Sequence, residues 1–121
     1  MNSELTKYQQ IFTDELHDNI LSYWIRYGVE KDGKGFYGAV DLNNRPVKGA
    51  NKTSVLNARI LWTFAAASRK YPGKGYEDMA HKAYRVVTED FADKEYGGYY
   101  MELTSNNEVA SDIKHTYAQA F

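Results

Sequence analysis

One pattern limits the folds open to this chain more than any other: a motif that returns after 63 positions. Gly35-Phe36-Tyr37 is answered by Gly98-Tyr99-Tyr100, and Asn43-Asn44 by Asn106-Asn107. Lys52-Thr53 is answered by Lys114-His115 to within one residue. Self-similarity at a fixed period is the mark of a repeat architecture. The unit reads as helix, glycine-rich aromatic turn with a short hairpin, helix. The chain holds one full unit and most of a second. A helix pair of this kind cannot bury both its faces alone, so it packs against further copies. The reading is of an all-α chain with about four helices, residues 1–121 forming a single incomplete domain that opens a longer array.

The elements follow from periodicity and turn chemistry. Leu5, Tyr8, Phe12, Leu16, Ile20 and Trp24 recur every three or four residues, which predicts a helix over 4–27 with Ser3 as its cap and Gly28 as its stop. Three glycines around Phe36-Tyr37 mark turns and close backbone approach. Residues 35–41 read as extended and pair near 46–49, across the Asn43-Asn44-Arg45-Pro46 turn. A second helix over 53–70 opens on Thr53 and Ser54, carries Leu56, Ile60, Leu61, Phe64 and Ala65, and ends at Pro72-Gly73. A third runs over 75–92 with Tyr76, Met79, Ala80, Ala83, Val86, Val87 and Phe91 on one side. Residues 99–103 are extended again, and a fourth helix begins at Ser111 or Asp112.

Composition removes several classes of function. The net charge is −1 and there is no Lys/Arg-rich run, so nucleic acid is not an expected partner. No apolar stretch approaches the roughly 18 residues of a membrane span, and the first residues lack the apolar core of a signal peptide. A cytoplasmic protein is expected. Cysteine is absent, which excludes disulfides and thiolate metal sites, and no His-x-x-x-His spacing suggests a metal. Eleven tyrosines within an aromatic content of 15% suit sugar binding or a protein interface.

The second helix also holds the residue of greatest chemical interest. Arg59 lies between Ala58 and Ile60, three residues after Leu56 and four after Val55. Such an arginine either snorkels to water from an amphipathic helix or meets an anionic or polar partner in a cleft. Trp24 and Trp62 read as core residues, with sugar stacking as the alternative. His17 and His81 read as surface histidines. Asp41, Glu95 and Glu102 are carboxylates on turns and extended segments, the raw material of a glycosidase pair.

Gly-Phe-Tyr-Gly-x-x-Asp (35–41), Lys52 before a helix, Asn-Ala-Arg-Ile-Leu-Trp-Thr-Phe (57–64), Glu-Tyr-Gly-Gly-Tyr-Tyr (95–100) and Lys-His-Thr-Tyr-Ala-Gln-Ala-Phe (114–121) together resemble the N-terminal third of the N-acylglucosamine 2-epimerase superfamily, and within it the cellobiose 2-epimerase type. The resemblance implies an (α/α)6 barrel, of which this chain would be the first two helix-pair repeats. It implies an isomerase of carbohydrate metabolism that acts at C2 of a reducing mono- or disaccharide by proton abstraction and return, with no cofactor. Arg59 would be catalytic, since it stands where the family places the arginine at the sugar oxygens. A fixed cation there stabilises charge developing on O1 and O2. Tyr117 and His115 would bind substrate, Tyr117 alternatively being a barrel-core tyrosine. The family's acid–base histidines lie later in the chain, so this stretch alone is expected to be inactive. The rival functions are a glycoside hydrolase or lyase of (α/α) architecture and a non-catalytic helical module that binds carbohydrate or protein. Unpaired helix faces are expected to drive self-association.

Overall fold

The structure, a computed structural model, describes residues 2–121. Helix α1 spans Ser3–Asp14 and continues through wide, π-type turns over Glu15–Leu21 and Trp24–Gly28. Its cap is Asn2, whose side chain accepts the Glu4 N–H at 3.1 Å, and not Ser3, which is already helical. Helix α2 spans Ser54–Lys70 and is capped by Thr53, whose hydroxyl accepts the Leu56 N–H at 3.3 Å. Helix α3 spans Tyr76–Arg85 and is prolonged by π-type turns to Phe91. The wide turns sit at the ends of both first helices of the repeat, Trp24–Gly28 and Val86–Phe91.

Behind each wide turn the chain makes the same corner. Val29 bridges Phe36 and Ala92 bridges Tyr99. The Glu30 N–H meets the Gly35 carbonyl at 2.9 Å, and the Asp93 N–H meets that of Gly98 at 2.9 Å. At the two hairpin tips the Asn44 and Asn107 N–H groups donate to the carbonyls three residues before them, each at 3.0 Å. Both asparagines are left-handed, with φ of 60° and 65°. That conformation is one asparagine tolerates better than most residues. The expected pairing of 35–41 near 46–49 is present as a single bridge, Val40 to Pro46, flanked by two backbone hydrogen bonds.

A small antiparallel sheet joins the two units. Strand β1 (Lys52–Thr53) pairs with β2 (Glu102–Leu103), Lys52 lying opposite Leu103, and β2 pairs with β3 (Val109–Ser111). Here the reading of the fourth helix needs correction. Ser111 closes a strand, and α4 begins only at Thr116 and runs to Ala120. The Ser111 carbonyl is taken by the Met101 N–H at 3.1 Å, which holds the backbone extended where a local capping signal suggested a helix start.

The core lies between α2 and α3. Ile60, Phe64 and Ala67 interlock with Tyr76, Met79, Ala80 and Ala83, and Leu21 and Phe36 close the cluster. Full burial of side chains of this size contributes about 1.5–3 kcal/mol each. A second cluster of Val86, Phe91 and Leu103 lies under the sheet. Only two of the six residues of the α1 stripe pack on the core. Leu16 and Trp24 pack on the core, whereas Leu5, Tyr8, Phe12 and Ile20 are exposed. Contiguous apolar surface of this kind marks an interaction face.

Candidate active site

The aromatic corners and the sheet position everything chemical in this chain. The Lys52 ammonium is buried to 2% exposure of its side chain and donates to Glu30 Oε2 at 2.7 Å, the carboxylate itself being 8% exposed. A second acceptor, Asn107 Oδ1, comes from the other unit at 2.6 Å. The Asn107 amide donates in turn to the Lys34 carbonyl at 3.2 Å and to Asp90 Oδ2 at 3.1 Å. This network fixes the start of α2 and with it the direction in which Arg59 projects.

The second unit repeats the ion pair. Lys114 Nζ donates to Asp93 Oδ2 at 2.5 Å and lies 4.7 Å from the centre of the Tyr100 ring. That hydrogen bond, helped by the N–H groups of Tyr96 and Glu95, holds the Asp93 carboxyl down to about 2 from its ordinary 3.8. A carboxyl lowered on folding stabilises the native state above its unfolded value, and the contribution disappears as protons bind. Stability contributed by Asp93 is therefore complete above about pH 4 and lost as the pH falls from there to about 2. Urea unfolding followed through that window is expected to show a steeper loss in the native chain than in Asp93→Asn, which has no charge to lose. Equal slopes would remove Asp93 from the acid response.

Helix α4 is tied to the second corner by its Gln119 side chain, which accepts the Tyr99 N–H at 2.9 Å and donates to the Tyr99 carbonyl at 2.7 Å. This places Phe121 against α2. The Arg59 guanidinium carbon stands 4.9 Å above the Phe121 ring centre. Phe121 meets Tyr117 edge to face at 4.9 Å, and Tyr117 meets His115 at 6.4 Å. The three residues singled out from the sequence thus fall into one chain of contacts, with Phe121 as the link. Phe121 ends the Lys-His-Thr-Tyr-Ala-Gln-Ala-Phe motif, and its four-residue spacing from Tyr117 is the signal that could have included it.

Arg59 and Phe121 line a groove of about 460 Å³ with Ala58, Trp62, Thr63 and Ala120. Arg59 is exposed, and among the described residues it makes no ion pair. The groove therefore presents a guanidinium fork free for oxygen ligands, backed by an apolar aromatic wall. Trp62 corrects the reading of it as a core residue: it is 75% exposed. It lies two residues from Ile60 and from Phe64, on the opposite side of α2 from the core stripe. Trp24 is partly buried on the core, as read.

The remaining candidates lie elsewhere. His17 is not a surface histidine. It stacks on Tyr76, meets Tyr71 edge-on, and its Nδ1 lies 2.5 Å from the Tyr76 hydroxyl. His81 is exposed near Glu77 on α3. Asp41 accepts the Asn43 and Arg45 N–H groups of its own turn, and Glu102 takes the Asn51 amide, so neither lines the groove of Arg59. Another surface groove, of about 330 Å³, lies at the α2–α3 turn around Tyr71, Pro72 and Glu77, away from these residues. Among the described residues no group of three His, Asp or Glu side chains is placed to hold a metal ion, and no helix is long and apolar enough to cross a membrane.

A tandem of helix pairs with hairpin corners thus presents an arginine and an aromatic wall into one groove. The sequence profile of the N-acylglucosamine 2-epimerase (GlcNAc 2-epimerase) family matches residues 35–121, and the chain belongs to that family. It is 37% identical over 113 residues to a cellobiose 2-epimerase of Bacteroides fragilis and 35% identical over 107 residues to one of Ruminococcus albus. These alignments take in 93% and 88% of this chain but 29% and 27% of the relatives. Two solved cellobiose 2-epimerases superpose on it. That of Bacillus thermoamylovorans does so with a TM-score of 0.88 at 34% identity over 95% of this chain, and that of Spirochaeta thermophila with 0.90 at 28% over 98%. Each is covered over 29% of its length. These neighbours are (α/α)6 barrels, and the present fold is that of their matching part.

Proposed function

We propose that this chain forms the first two helix-pair repeats of a cytoplasmic sugar 2-epimerase, an enzyme of carbohydrate metabolism acting on a reducing mono- or disaccharide. The observation that carries this reading is Arg59, exposed in an aromatic-walled groove with no carboxylate to neutralise it. Abstraction of the C2 proton of an open-chain aldose sends the C–H electron pair through C1 onto O1, next to O2, the oxygen of the C2 hydroxyl. Arg59 donates to this O1/O2 pair and stabilises the enediolate as it forms. Tyr117 and His115, linked to Arg59 through Phe121, hydrogen-bond the sugar hydroxyls and hold the open chain in place. Removing the proton from one face of C2 and returning one to the other needs bases with pKa near neutrality. His17 is engaged by Tyr76 and His81 points from α3, so neither serves. The 121 residues supply the charge stabiliser without the proton carriers. Their uncovered apolar faces associate with like surfaces.

The test is proton exchange at C2 of glucose- and mannose-type reducing ends in heavy water, followed by NMR. The expected result is no exchange above background for residues 1–121 alone, and exchange for a barrel that contains them. Exchange by the isolated chain that disappears in His115→Ala would make His115 a base and overturn the assignment of roles.

A further inference from the structure

We propose that Asn57 and the Phe36 main chain hold an internal water molecule between the first corner and the start of α2, in the place that a side-chain amide takes in the second unit.

Asn57 is 1% exposed, and its two amide atoms fare differently. Nδ2 donates to the Thr53 carbonyl at 2.9 Å. A carbonyl partner needs a donor, which fixes the amide nitrogen on that side and the oxygen on the other. Oδ1 is buried and accepts no hydrogen bond among the described residues. Phe36 is 0% exposed. Around it the corner is bonded: the Tyr37 N–H meets the Gly28 carbonyl at 2.9 Å, and the Glu30 N–H meets that of Gly35 at 2.9 Å. These bonds flank the Val29–Phe36 bridge and turn the N–H and carbonyl of Phe36 to its other side. There neither has a hydrogen-bond partner among the described residues. Buried main-chain groups are as a rule paired, with protein or with ordered water. All three groups are walled in by residues of this chain, so a longer polypeptide could not supply their partner.

The second unit shows what belongs in that place. Tyr99 stands 63 positions after Phe36, in the same kind of bridge, flanked by the bonds of the Asp93 N–H to Gly98 and of the Tyr100 N–H to Phe91. Gln119 is the fourth residue of α4, as Asn57 is of α2. Its amide accepts the Tyr99 N–H at 2.9 Å and donates to the Tyr99 carbonyl at 2.7 Å. Asparagine is one methylene shorter. A water molecule makes up the difference: it accepts the Phe36 N–H, donates one hydrogen to the Phe36 carbonyl and gives the other to Asn57 Oδ1. Three bonds are typical of an internal water. Such a bridge costs little against a direct hydrogen bond. The helix that carries Arg59 two residues later is thus fastened to its corner through water, and α4 to its own corner directly.

The test is a crystal structure of a barrel that contains these residues, native and Asn57→Gln, at a resolution that shows ordered waters. The expected result for the native protein is a water within about 3 Å of both Asn57 Oδ1 and the Phe36 nitrogen, and none on the Tyr99 nitrogen. In Asn57→Gln the longer side chain is expected to reach the Phe36 main chain itself, with loss of the water. The native structure decides alone should the variant fold poorly. A native protein in which Asn57 Oδ1 meets no water, or meets a side chain in its place, would overturn the inference. So would an Asn57→Gln protein that keeps the water on Phe36 unchanged.

Discussion

Arg59→Lys is expected to lower sugar epimerisation by about 10²–10³-fold in turnover, with folding intact and substrate binding weakened less. The comparison isolates geometry from charge. Lysine keeps the positive charge but replaces a planar fork of donors by a single mobile ammonium. Arg59 is held over the Phe121 ring at 4.9 Å, so its plane is set before any sugar arrives. A donor fixed in advance contributes where negative charge develops in the transition state, and less to the neutral ground state. The loss should therefore fall on kcat more than on KM. Steady-state kinetics on a barrel containing these residues measures both. The alternative role, a surface arginine on an amphipathic helix, gives turnover within a few-fold of the native value, since such exchanges rarely move stability by more than about 0.5 kcal/mol. That outcome would remove the main support for the epimerase reading at the level of a residue.

Lys52→Met should be the most damaging single substitution for folding. It leaves the Glu30 carboxylate buried at 8% exposure with its cation gone, and it takes from Asn107 Oδ1 the donor that joins the two units. Removing one partner of a buried ion pair typically costs about 3–5 kcal/mol, against a total stability of roughly 5–15 kcal/mol for a domain. The urea midpoint should fall accordingly. Restoring neutrality with Lys52→Met plus Glu30→Gln should recover a substantial part of the loss, because the uncompensated charge, more than the absent attraction, is what destabilises. A single variant as stable as the native chain would show that the pair is solvated in practice and does not hold the repeats together.

Much of this architecture was legible in the residues. The helices α2 and α3 could be read because Ile60, Phe64, Met79, Ala83 and their neighbours follow the helical period without interruption, and Thr53 caps locally. The two units could be read because glycine, aromatic and asparagine positions return at one spacing. What escaped was decided by partners distant in sequence. Ser111 looked like a helix start, yet its carbonyl belongs to the Met101 N–H in a strand ladder. Lys52 was visible as a motif residue, but nothing nearby in sequence announces that Glu30 and Asn107, 22 positions before and 55 after, will enclose it. Four of the six residues of the α1 stripe face outward, because periodicity reports that a face is apolar and not what covers it. Arg59, Tyr117 and His115 were found through the family motif. The contacts that link them run through Phe121, whose role emerges only when α4 folds back on α2; Tyr117 and His115 do not themselves line the groove of Arg59.

The amide of Asn107 also sets a timetable. During synthesis the first helix pair leaves the ribosome with Lys52 and Glu30 already able to meet, but the second acceptor for that ammonium lies 55 residues further along. At about 5–20 residues per second the interval is roughly 3–11 s, long compared with helix formation and loop closure. Over those seconds water must serve the lysine, and β1 has no strand beside it. The first unit therefore waits, hydrated and half-locked, until the second hairpin arrives, and the order in which the polypeptide is made becomes the order in which its interior dries.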